Sequence, residues 1–403
     1  MSDAKWLLLM CASRACFSLI FTAYAAVIPL VQPEWGMSSG ATGLVQSAWH
    51  VGYLVSLFGV GLLVDRVGAR DTYLWSGLAA CAAALLFAFF ARGFYSALFL
   101  HFVAGLFAGG SYSPGLALIA LRYGTATRGW AMGCFLAAAS FGYAVCLLGS
   151  GLMAPAWGWR AALLFAAVAT VAGAALSWAA LRGMPNVAPV AQQHPSWIAT
   201  TRSLWRNEPA KLSIGAYTLH AWELLGLWAW LPAFLVVAAQ AQGGGTGMLM
   251  AGITLAGLTH LVSVAASLAG GAMSDRIGRA RVILIMSCTS VACSFLFGWL
   301  VGFAMWLVVL VAIVYAFTAI GDSAVFSTVL TEVVPREQIG VAFSVRSVLG
   351  FGVGAMSPWA FGLTLDLTTG SPWSWGIAWC TLGIGALLGP LMTLRLQRLT
   401  EKR

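Results

Sequence analysis

Long apolar runs, broken by short clusters of Gly, Pro and charged residues, fill the chain. Twelve runs stand out, at roughly 6–31, 39–62, 72–91, 95–121, 129–153, 160–181, 209–239, 246–272, 281–301, 304–332, 340–364 and 373–395. A helix rising ~1.5 Å per residue needs about 20 apolar residues to cross a bilayer core, and each run is of that order. The first, from Trp6 to Val31, is too long for a cleavable leader and continues into the multispan pattern, so it reads as a membrane helix. One longer stretch, 182–208, is rich in Pro, Gln and Arg and separates two sets of six. The pattern predicts an all-α integral membrane protein with a six-helix bundle over 1–181, a cytoplasmic linker over 182–208 and a second six-helix bundle over 209–403.

Composition makes lipid the solvent. Hydrophobic residues are 61% of the 403 and charged residues only 8%, against roughly 25% charged in soluble chains. Eight Cys lie scattered in apolar segments without a CxxC pair, which suits small buried hydrophobes rather than disulfides or a metal centre. The net charge of +9 raises nucleic acid as a partner, and its distribution removes it. With the N-terminus in the cytoplasm, 17 of the 21 Lys and Arg fall on the cytoplasmic side, and only Arg92 and Arg160 on the other. Such a bias orients a polytopic protein in the inner (plasma) membrane with both termini cytoplasmic. No phosphate-binding loop and no nucleophile–base pair stands in a loop long enough to form a site, so the chain is not read as an enzyme and needs no cofactor or metal.

The two halves repeat a signature. Gly61-Leu-Leu-Val-Asp65-Arg66-Val-Gly68-Ala-Arg70 follows the second span, and Gly271-Ala-Met-Ser-Asp275-Arg276-Ile-Gly278-Arg279 follows the eighth. The two Asp are 210 positions apart. An internal repeat of six spans suits a secondary transporter that holds its solute between the halves. This duplicated motif resembles that of the major facilitator superfamily over essentially the whole chain. The resemblance implies two pseudo-symmetric bundles, alternating access, and a conformational latch at Gly61, Asp65, Arg66, Gly68, Arg70, Gly271, Asp275, Arg276 and Gly278. The Asp can cap a neighbouring helix, the Arg can pair with acids and the Gly allow a tight turn. The fifth span lacks the Gly-Pro pair expected of the family's drug–proton antiporters, and His101 stands four residues before Gly105 where drug exporters usually carry Arg. The segment from His220 to Phe234 resembles cyanate and nitrate/nitrite-type uptake carriers.

Ionisable side chains inside a membrane are functional candidates by default. The interior set is Arg14, His50, His101, His220, Glu223, His260, Asp322 and Arg346. Their spans are the first, second, fourth, seventh, eighth, tenth and eleventh, which in the family line or flank the central cavity. Counting helical rise puts Arg14, His220, Glu223, Asp322 and Arg346 roughly 9 to 18 Å from the cytoplasmic ends. His50 and His260, each fifteen residues before its motif Asp, lie about 22 Å away, in an outer layer that His101 shares. Arg14, His50, His101, Trp222, His260 and Arg346 are the candidate substrate contacts. His220 and Glu223 share a helix face and, with Asp322, are the candidates for proton coupling. Internal salt bridges, including one between Arg346 and Asp322, are the competing structural reading. The glycines 105, 109 and 110, and 350, 352 and 354, suit close helix packing or bending.

The expected function is proton-coupled uptake of a small anionic solute by a functional monomer in the bilayer. An exporter of small hydrophobic or cationic compounds is the alternative. A metal carrier built on Met, Cys and His, and a membrane sensor that keeps the fold, are further readings.

Overall fold

The computed structural model describes residues 1–186, 197–243 and 246–400. Part of the expected linker, 187–196, and the terminal Lys402 and Arg403 lie outside the described residues. Four helices open the chain: α1 (Asp3–Glu34), α2 (Ser39–Val67), α3 (Ala69–Phe90) and α4 (Phe94–Arg122). A 57-residue helix, Thr125–Leu181, follows; it breaks at Gly158, where φ is +78°, and its arms 125–157 and 159–181 are α5 and α6. A short helix, α7 (Trp197–Arg206), lies in the segment read as a linker. Six more complete the chain: α8 (Glu208–Gln240), α9 (Thr246–Ile277), α10 (Arg279–Leu300), α11 (Met305–Val333), α12 (Ile339–Leu367) and α13 (Ser374–Thr400). Among the described residues eleven helices are apolar and long enough to cross a membrane. The longest is two spans joined at Gly158, which makes twelve.

The chain divides into two compact units. Unit 1 comprises Met1–Ser38, Val45–Gln192 and Gly244–Leu261; unit 2 comprises Ser39–Leu44, Gln193–Gly243 and Val262–Arg403. Helices α1 and α8, the first of each six, are the most buried, at 72% and 83% over their most apolar windows. Large apolar side chains stand exposed on α3 (Trp75, Phe89), α6 (Val168, Trp178), α10 (Ile285, Leu296) and α13 (Ile384, Leu391), as lipid-facing helices require.

Lipid tails are as apolar as Leu, so close packing rather than hydrophobic burial must hold membrane helices together. In unit 1, α2 and α4 touch through glycine: a Cβ on Gly52 would overlap the Phe102 carbonyl, and one on Gly105 the Trp49 carbonyl. Gly142 of α5 lies against the Ala15 carbonyl, and the Ser13 hydroxyl of α1 donates to Gly173 O on α6 at 2.9 Å. Trp6, Met10, Phe17, Tyr73, Leu118 and Phe135 fill the centre of this bundle. In unit 2, Gly270 of α9 lies on the Gly321 carbonyl of α11. Leu212, Ile283, Met286, Phe326 and Val329 pack below that crossing. The first turn of α2 belongs to this unit: the Ser39 and Gly40 amides donate to Asp366 Oδ1 and Oδ2 of α12 at 2.7 and 2.8 Å. That carboxylate satisfies amides that a helix N-terminus leaves open.

The repeated motif is more helical than a loop reading suggests. Helix α2 runs through Asp65 and Arg66 to Val67, α3 begins at Ala69, and only Gly68 lies between. The second copy turns in the same way at Gly278. Both glycines sit at positive φ, +92° and +95°, where an L side chain is strained. Charged residues carry the helix beyond its apolar stretch because they remain exposed at its end.

Candidate functional site

Four membrane helices are interrupted among the described residues, α4, α11, α12 and α13, and the breaks in α4 and α11 fall at equivalent places. In α4 the helix tightens to a 3-10 turn at Gly109–Ser111 and restarts after Tyr112. In α11 it stops at Gly321 and restarts after Asp322. Tyr112 and Asp322 are 210 positions apart, the same offset as the motif Asp residues. Interrupted helices in corresponding positions of two repeats mark the solute and ion sites of many carriers, since the freed backbone and polar side chains then face a protein interior.

In unit 1 the break receives Arg14. Its Nη1 donates to Ser111 Oγ at 2.5 Å, and its guanidinium lies 5.6 Å from the Tyr112 ring centre and 5.8 Å from that of Phe135. The Tyr53 phenol of α2 is within hydrogen-bonding reach. Arg14 is 7% exposed, its Nε has no hydrogen-bond acceptor, and among the described residues it makes no salt bridge. Every group gathered around it is a neutral hydroxyl or an aromatic face.

The outer layer of the same unit holds imidazoles in an aromatic setting. His50 shares its Nδ1 with Gln46 O at 3.0 Å and lies edge-on to Phe21 and Trp49. His101 packs on Tyr24 and Phe87, and neither of its ring nitrogens has a hydrogen-bond partner. His260 of α9 meets Tyr143, which in turn packs on Phe21. His50 and His260 are thus joined through Phe21 and Tyr143, and His101 sits in its own aromatic setting of Tyr24 and Phe87.

In unit 2 the break carries the acids. Asp322 Oδ1 lies 3.3 Å from His220 Nδ1, an ion-pair distance without hydrogen-bond alignment. His220 Nε2 is 2.8 Å from Ser323 Oγ. Glu223, one helical turn along α8, accepts from Ser290 and Ser294 of α10 on the same Oε1, at 2.7 and 2.6 Å. Ser294 is also 2.5 Å from the Tyr315 hydroxyl. His220, Glu223 and Asp322 line one cavity of about 10 Å³, room for roughly a single water.

Arg346 stands apart from Asp322, against the bridge entertained from the sequence. Its Nη1 donates to Ser327 Oγ at 2.8 Å, and its guanidinium lies 4.3 Å from the Tyr217 ring and 4.6 Å from the Phe343 ring. One turn of α11 separates Ser327 from Ser323, and Asp322 is taken by the imidazole from α8. Each unit therefore carries one buried guanidinium bonded to a serine, laid on two rings and left with an orphan Nε. Trp222 donates its indole N–H to Thr381 O of α13 at 3.2 Å and covers Gly385, a packing role between those helices.

The motif residues lie at the helix ends. Asp275 pairs with Arg279, which also donates to Ser274 Oγ at 2.7 Å and meets Glu332 at 3.2 Å. Arg70 donates to Leu181 O at 3.2 Å and meets Asp71 at 3.6 Å. Asp65, Arg66 and Arg276 are exposed, and a Cβ on Gly61 or Gly271 would meet open space. Ser111, Tyr112, Ser327, Tyr217, Ser290, Ser294 and Tyr315 escaped the sequence reading. Serines and tyrosines carry no charge to flag them, and only the Gly109-Gly110-Ser111 and Gly321-Asp322-Ser323 runs signal a break.

Relatives agree with this architecture. The chain is 24% identical over 396 residues to the probable sulfoacetate transporter SauU of Cupriavidus necator, covering 91% of this chain and 89% of that one. It is 25% identical over 223 residues to the putative niacin/nicotinamide transporter NiaP of Bacillus subtilis, 52% of this chain and 53% of that one. The crystal structure of a nucleoside transporter NupG variant superimposes with a TM-score of 0.80 at 13% identity, covering 97% and 99% of the two chains, a likeness of fold. The sequence matches the Major Facilitator Superfamily over residues 10–358, and with twelve helices and a duplicated motif the chain belongs to that superfamily of membrane transporters.

Proposed function

We propose that this transporter is a proton-coupled uptake carrier for a small organic anion, working by alternating access in the inner membrane with both termini cytoplasmic. The observation that carries the reading is Arg14. An isolated cation in a low-dielectric interior is costly unless it is paired. The orphan Nε and the neutral hydroxyls leave the pairing to a solute that arrives with its own negative charge. Arg presents a planar fork suited to carboxylate or sulfonate oxygens. Of the compounds in the names of the two relatives, sulfoacetate and niacin are acids and nicotinamide is a neutral amide. The His220–Asp322 pair and the neighbouring Glu223 supply the groups for proton coupling. The Asp65 and Asp275 motifs act as the conformational latch on the cytoplasmic face.

The test is uptake of labelled nicotinate, acetate and sulfoacetate into proteoliposomes under an inward proton gradient. Arg14→Gln is expected to reduce uptake of the transported probe to the protein-free level. Arg14→Lys keeps the charge, loses the fork and raises KM. Uptake by Arg14→Gln equal to that of the parent protein overturns the anion reading.

A further inference from the structure

We infer that one proton accompanies each monovalent anion, so that the transport cycle is electroneutral; this rests on the proposed function and specifies its coupling. Among the described residues four Arg and carboxylate side chains are buried: Arg14, Glu223, Asp322 and Arg346. Unit 1 holds Arg14 alone, and unit 2 holds the two carboxylates and Arg346. With neutral imidazoles, the interior of unit 1 carries one uncompensated positive charge and that of unit 2 one uncompensated negative charge.

Each imbalance is removed by one ligand. A monoanion on Arg14 neutralises unit 1. A single proton neutralises unit 2, and whether Asp322 or His220 holds it, the charge of that ion pair rises by one. A second proton, or an anion without a proton, leaves a buried charge uncompensated, and such a state is expensive in a low-dielectric interior. An imidazolium needs acceptors on both nitrogens, and of the outer imidazoles His101 has none while His50 has one, the Gln46 carbonyl.

Within unit 2 the geometry distinguishes the carboxylates. Glu223 Oε1 already accepts from two hydroxyls. Asp322 Oδ1 receives no hydrogen bond and lies 3.3 Å from His220 Nδ1. Asp322 with His220 is thus the proton site. The titratable and charged groups bearing on it are Glu223 on α8, Arg346 of α12 acting on His220, and Tyr315 of α11 and Cys293 of α10 acting through Glu223.

The experiment measures accumulation of nicotinate or acetate, whichever the carrier takes up, in proteoliposomes with pH gradient and potassium–valinomycin potential set independently. Electroneutral coupling gives about tenfold accumulation per pH unit, with less than about a twofold change on imposing 60 mV of either sign. A second proton would add about tenfold for 60 mV inside negative. Asp322→Asn neutralises unit 2 without a proton. It is expected to retain counterflow exchange, which also reports a folded carrier, to lose the response to the pH gradient and to gain accumulation under an inside-positive potential. Arg14-dependent uptake that responds to potential in the parent protein, or an Asp322→Asn variant that keeps the pH response, overturns the stoichiometry and leaves the anion reading standing. Absence of Arg14-dependent uptake of every probe overturns both.

Discussion

Ser111 sets the position of Arg14, and its contribution can be measured. A hydrogen bond to a charged group is worth about 1.5–3 kcal/mol, so Ser111→Ala, which leaves Arg14 Nη1 without its acceptor, is expected to raise the KM for the transported anion about tenfold or more. An unchanged KM in a titration of initial uptake rates would remove Ser111 from the site. The pair could only be half anticipated. A lone Arg in an apolar run advertises itself, because charge in lipid is costly. Serine fits any helix face, so its choice as partner depended on where the break in α4 brings it. The same limit holds for Trp222, whose contact with Thr381 of α13 depends on the rotation of α8.

Helices obey stricter rules, and their glycines divide accordingly. Gly68 and Gly278 make one-residue turns at positive φ, so replacing either with Ala is expected to cost about 1 kcal/mol of stability. Gly61→Ala and Gly271→Ala lie inside helices and meet nothing, so they should be neutral or stabilise by up to about 1 kcal/mol. Melting of detergent-solubilised protein distinguishes the two pairs, and equal losses would contradict the turn geometry. Gly105→Leu drives a side chain into the Trp49 carbonyl; overpacking of this kind typically costs about 1–3 kcal/mol, and a lower melting temperature is expected. The twelve spans and the motif were legible because lipid demands about 20 apolar residues per crossing. The breaks in α4 and α11 were not. Gly-Gly and Gly-Asp are compatible with both packing and interruption, and the choice depends on the neighbours that satisfy the freed backbone.

At the scale of the molecule, the basic residues give a prediction of orientation. A C-terminal fusion after Thr400 should fluoresce with green fluorescent protein and stay inactive with alkaline phosphatase; the reverse result would invert the proposed topology. The division of charge between the units gives the prediction of electroneutral transport made above. By itself the sequence determined the membrane class, the six-plus-six repeat and the set of ionisable interior residues. These follow from the energetics of single residues in lipid, which each segment satisfies alone. Tertiary structure decided the partners: Arg14 with Ser111, Arg346 with Ser327, Asp322 with His220, Glu223 with Ser290 and Ser294. Partners depend on helix rotation and on where a helix breaks, and both are set by glycine-mediated contacts between segments far apart in the chain.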